Sequence, residues 1–229
     1  MDLLYFLKAR TVFLHDFYKV ASASFAEIKR KIECGEAPFE PHLAKREDEP
    51  PFMPEWLEAE SCLEVLGRVC ISMLSASLKL YFEAWRARLG IELEPEEKLV
   101  LKKHGILKGY KWIFGARLGI EWADCPTDFA VLEQIFLARN RDQHPDHITT
   151  QSVHHHRSDL EKFAKPFFLS DADCKILADD PELAENPVFS FDIHVTEEKL
   201  LAAIKEVDGL ADWLEPRLKT ARLQHYSRP

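Results

Sequence analysis

The five cysteines, Cys34, Cys62, Cys70, Cys125 and Cys174, are odd in number, scattered, and never at CxxC spacing. That pattern argues against a disulfide framework and a cysteine-built zinc site, and predicts a reducing compartment. No Gly-rich phosphate loop, GxSxG elbow or HExxH pair occurs, and the glycines of "HGILKG" and "FGARLG" do not match a dinucleotide fingerprint. Positive charge is in short supply: Lys and Arg number 30 against 39 Asp and Glu, a net charge of −9. A generic nucleic-acid coat wants a broad basic surface, which this balance does not provide, although an acidic body can still carry a small basic site. A long uncharged run is missing too. The most apolar stretch, residues 62–82, contains Glu64, Arg68 and Lys79, which predicts a buried or amphipathic helix rather than a membrane span. The start, "MDLLYFLKAR", has an early acid and no small-residue cleavage site, so it does not read as a signal peptide. The expectation is a cytoplasmic protein without membrane association.

What is present suits an ordinary globular chain. Its 229 residues are 46% apolar and 30% charged, enough to bury a real core in one domain covering residues 1–229. Apolar residues recur at helical spacing from Leu3 to Ile32, and Gly35 supplies a stop. A proline-rich surface loop follows over residues 36–54, and Pro54 suits the first turn of a second long helix running to Gly90. Pro95 opens a shorter helix, and Gly105, Gly109, Gly115 and Gly119 then punctuate "GILKGYKWIFGARLGIEW", residues 105–122, which reads as one broken helix. Thr127 and Asp128 read as a cap for a helix whose stripe is Phe129, Val131, Leu132, Ile135 and Phe136. Pro145 disfavours helix at the residue before it, so that helix ends at or before His144. A histidine-rich insertion, about 144–157, leads to short helical pieces near 158–165 and 170–178. "PVFSFDIHV" alternates like a single extended segment. Thr196 then caps a last helix, residues 197–216. The pattern predicts an all-α helical bundle with one short extended segment before the last helix.

Chemistry concentrates in "FLARNRDQHPDH", residues 136–147. The carbonyl end of a helix favours a protonated histidine. An arginine and a histidine facing one cleft suit phosphodiester cleavage without a metal. Histidine takes either proton role, and arginine offers a permanent planar cation matched to phosphate oxygens. Two proton transfers want two histidines, which a symmetric dimer supplies.

Within this stretch "RNRDQH" resembles the Arg–polar–x3–His motif of the HEPN superfamily. The resemblance implies a helical bundle that dimerises, with the motif near the end of a core helix. It also implies metal-independent endoribonuclease activity on RNA of the kind found in toxin and defence proteins, with a nucleotidyltransferase-type antitoxin as partner. Arg139 and His144 would then be the catalytic pair and Asn140 the polar residue beside them, with no cofactor and no metal. The alternative is a HEPN-like module that binds or dimerises without cleaving, which the acidic balance favours.

Plainer roles stand beside each of these. Arg139 suits any helix C-terminus, and His144 any helix stop before proline. Glu133 is either an orienting partner for Arg139 or a solvated carboxylate. His144, His147, His154, His155 and His156 offer imidazoles to zinc or nickel, but flexible histidines without cysteine or acidic partners at fixed spacing seldom form a closed site. "KKHGILKGYKW", residues 102–112, mixes lysines with aromatics and reads first as the solvated face of a packed helix. The tryptophans are expected in the core or a dimer seam.

Overall fold

A computed structural model describes residues 2–40, 50–144, 152–163, 165–185 and 189–226, and among these residues the chain forms seven α-helices and one short 3-10 turn. Pro145, His147, Pro187, Val188 and residues 41–49 of the proline-rich loop lie outside the described residues. Helix α1, Leu3–Cys34, is capped by the Asp2 carboxylate, which accepts from the Tyr5 N–H at 3.1 Å. It ends at Gly35, whose φ of 63° is a left-handed turn that glycine adopts at no steric cost. Helix α2, Met53–Arg88, is the central element, with Pro54 in its first turn. Helix α3, Pro95–Leu118, bends at Gly105, where φ is 80°. Helix α4, Phe129–Gln143, starts at Asp128, whose side chain accepts from the Ala130 N–H at 2.8 Å.

Helices α5 (Arg157–Lys162) and α6 (Asp171–Asp179) overlap the expected short pieces, each extending one residue past an expected end. The extended segment before the last helix is present, but it makes a single isolated bridge, His154 to Asp192, and no strand forms among the described residues. Its alternation is real nonetheless: Phe191, Ile193 and Val195 are buried. Helix α7 spans Glu197–Tyr226 and so runs ten residues past Pro216, where the sequence pattern suggested a stop. Proline forfeits one backbone bond there, but Leu214 and Leu218 on either side are fully buried in the core. Packing of that stripe outweighs the lost bond.

The core is built from α2. Cys70, Leu74, Leu78 and Trp85 on this helix have no exposure, and they meet Leu14 of α1, Phe114 of α3, Leu132 of α4 and Leu210 of α7 in one hydrophobic cluster. By length and composition α2 could cross a membrane. Here 44% of its most apolar window is buried against neighbouring helices. Not every tryptophan is interior: Trp85 is, Trp122 and Trp213 meet at a 38° tilt with ring centroids 5.1 Å apart at the core margin, and Trp112 is 43% exposed.

A buried carboxylate ties α2 to α7. Glu215 accepts from the Tyr81 hydroxyl at 2.7 Å and the Trp85 indole at 2.8 Å, and pairs with Lys219 at 3.2 Å. Two donors and one ammonium offset the cost of withdrawing its charge from water. Burial first, then the bond to Glu215, pushes the Tyr81 hydroxyl well above its ordinary range.

Candidate functional site: the end of helix α4

Helix α4 carries the Arg139–His144 stretch, and its last turn is fastened on two sides. Asp142 accepts from the Ser72 hydroxyl at 2.9 Å and pairs with Arg68 at 3.5 Å, both on α2. Arg68 is only 4% exposed and lies within 4.0 Å of Glu64 as well. On the other side Arg141 reaches the nearly buried Asp159 of α5 at 3.1 Å. Charged groups removed from water in this way hold their positions because each has an opposite charge in reach.

Between these anchors the three predicted site residues are not consumed by the fold. Arg139 is half-buried and donates from Nη1 to the Asn140 amide oxygen at 2.9 Å. Asn140 and His144 are exposed. His144 caps the helix with φ −132° and ψ 64°, and its backbone N–H donates to the Arg141 carbonyl at 3.3 Å. The structure thus joins Arg139 to Asn140. It brings His144 to the same helix end, with no hydrogen bond or ion pair between its ring and Arg139 among the described residues.

Glu133 serves neither of the roles considered for it. It bridges Lys108 of α3, at 2.9 Å, and Lys162 of α5. Burial works to raise its pKa, but the bonds from Lys162 and Lys108 outweigh burial and hold the carboxyl below its usual range. The lysine-rich face of α3 is partly engaged too: Lys111 stands 3.9 Å over the Phe129 ring.

The histidine run disperses. His154 pairs with Asp192 at 2.5 Å, the His155 ring bonds the Phe168 carbonyl at 3.1 Å, and His156 caps α5 through Ser158. Burial pushes the His155 pKa below its ordinary value, so the ring is neutral at pH 7. Among the described residues no group of three or more His, Cys, Asp or Glu is arranged to hold a metal ion.

Sequence reasoning missed Arg68, Ser72 and Asp159. The signal for Arg68 was available, since a charge inside an otherwise apolar run needs a partner, but the partner lies 74 residues away. Asp142 looked like an ordinary helix-end residue.

No family model, curated protein or solved structure matches this chain.

Proposed function

We propose that the chain is a homodimeric, metal-independent endoribonuclease of HEPN type, acting in a toxin or defence role, with its active site at the end of α4. One observation carries the reading: Asp142 and Arg141 clamp that helix end while Arg139, Asn140 and His144 are left available beside an unpartnered apolar face. Val65, Val69, Met73 and Leu80 form an exposed stripe on α2, and Arg68 and Ser72, the residues that Asp142 holds, each precede one of its members. The bonds Lys29–Glu60 and Trp56–Glu33 set α1 antiparallel to α2. Continuing that register sets Phe17 and Val20 of α1, both exposed, level with Ser72 and Val69. Apolar patches of this extent mark protein–protein contacts. A second copy docked across a two-fold axis on this face would bring both helix ends to one seam.

In that dimer the RNA 2′-hydroxyl oxygen attacks phosphorus as the bond to the 5′-oxygen breaks, leaving a cyclic phosphate and a free 5′-hydroxyl. One neutral His144 takes the 2′ proton, and the other copy's protonated His144 supplies a proton to the departing oxygen. Arg139 stabilises the crowded phosphorane, and Asn140, already bonded to it, orients its guanidinium. A nucleotidyltransferase-type antitoxin would be the natural partner.

A second reading, a HEPN-like binding or dimerisation module that does not cleave, is favoured by a separate observation: Arg139 is bonded to Asn140, and among the described residues no hydrogen bond or ion pair joins it to His144. The two separate on the Met73→Glu variant, which places a carboxylate in the seam. For the nuclease, sedimentation shows a monomer and RNA cleavage is lost with it. Dimerisation without any cleavage by wild type would leave the module standing and end the nuclease reading.

A further inference from the structure

Away from the α4 end, two cavities open side by side where α5, α6 and the start of α7 meet. One, about 570 Å³, is a groove between α5 and α6 lined chiefly by Leu160, Phe163, Leu169 and Leu177. The other, about 460 Å³, is floored by His194 and Lys199. They share Lys165, Pro166, Leu169 and Cys174, so an apolar compartment runs into a polar one. Each volume is in the range of small-molecule sites.

Lys199 is what sets the polar end apart. It is half-buried, and its ammonium donates to the Leu169 carbonyl. No carboxylate lies within ion-pair distance of it among the described residues. Burial pushes its pKa below the ordinary lysine value, and outweighs the nearby charges of Cys174, Asp171, Glu198 and Asp173, which work to raise it. Burial, then Lys199 itself, also lowers His194, which leaves Lys199 as the positive charge at the floor. The other charged groups of the two cavities, Glu161, Lys165, Asp171, Lys175 and Glu198, are exposed at the rim. With Asp171 and Glu198 at the mouth of the polar cleft and inside it one cation that has no ion-pair partner among the described residues, the cleft suits one negative charge better than two.

The geometry points to a binding site for an amphipathic monoanion, a carboxylate on an alkyl or aryl body, with its head on Lys199 and its apolar part between α5 and α6. The site is independent of the proposed nuclease centre and stands whether or not the protein cleaves RNA.

Calorimetric titration of the full chain with dodecanoate, below its micellar concentration, tests this. One equivalent should bind. Lys199→Gln should weaken binding at least tenfold, since a hydrogen bond to a charged group is lost, and Lys199→Arg should stay within about threefold. Leu177→Asp, on the half-exposed face of α6, should abolish binding while circular dichroism remains that of wild type, which separates loss of the site from loss of the fold. Acetate and dodecanol, each carrying half of the chemistry, should bind at least tenfold more weakly. No dodecanoate binding, or equal affinity in a folded Lys199→Gln variant, overturns the proposal. Tighter binding of dodecyl phosphate than of dodecanoate overturns the assignment of a single charge.

Discussion

Asp142 holds the end of α4 against α2, and replacing it by alanine measures how firmly. The substitution removes the bond to Ser72, 2.9 Å, and the ion pair to Arg68, 3.5 Å. Arg68 is 4% exposed and stays in place, with Glu64 4.0 Å away. Breaking a buried pair from one side costs about 3–5 kcal/mol. Asp142 itself is 23% exposed, so water softens the loss and the lower end, about 3 kcal/mol, is expected. For a chain of this length each kcal/mol moves the melting temperature by roughly 2–4 °C, which predicts a fall of about 6–12 °C. Asp142→Asn retains an acceptor for Ser72 and forfeits only the charge, so it should cost about half as much. Urea unfolding of the three proteins gives the comparison. If Asp142→Ala came within about 0.5 kcal/mol of wild type, the clamp would not be what positions the α4 end.

Gly67→Ala sets two effects against each other. Alanine favours a helix interior by about 1 kcal/mol, but the new methyl would meet the Val195 carbonyl oxygen at 2.5 Å. Overpacking against backbone costs about 1–3 kcal/mol, so net destabilisation is expected and a higher melting temperature would contradict the close approach. Glu215→Gln should cost about 2 kcal/mol by chemical denaturation, because it removes the charge to which Tyr81, Trp85 and Lys219 turn. Acidification should also destabilise the fold through His155 and His194, whose pKa values burial lowers from the usual 6.5 or so. The unfolded chain binds those protons first. Their share of stability is therefore whole above pH of about 6.5 and falls as pH drops below it. The urea midpoint should decline from pH 7.5 to 5.5, and His155→Asn should flatten that decline; an unchanged slope would contradict the assignment.

The helices were legible where the signal is local. The Leu3 start and Gly35 stop of α1 and the Asp128 cap each rest on a residue whose backbone or side chain acts within one turn. Of the four glycines read as breaking the third helical region, only Gly105 leaves helical geometry inside α3, and Gly119 caps it. The continuation of α7 through Pro216 was not legible, because it depends on what Leu214 and Leu218 pack against. The partners of the histidine run were not legible for a similar reason. Its members looked like one cluster in sequence, yet their partners, Asp192 and Phe168, come from segments that only the fold brings near. At the candidate site, Arg139, Asn140 and His144 were legible as a motif, while the clamp through Arg68, Ser72 and Asp159 was not. A motif is a run of neighbours, and a clamp is a set of long-range pairs.

Cleavage of labelled single-stranded RNA in excess EDTA, wild type against His144→Ala, tests the central claim most directly. A general acid–base group contributes about 10²–10⁴-fold. Wild type should therefore cut a varied RNA pool with the metal chelated, and His144→Ala should be slower by a hundredfold or more at unchanged thermal stability. Equal cleavage by the two proteins, or none by wild type, would contradict the account.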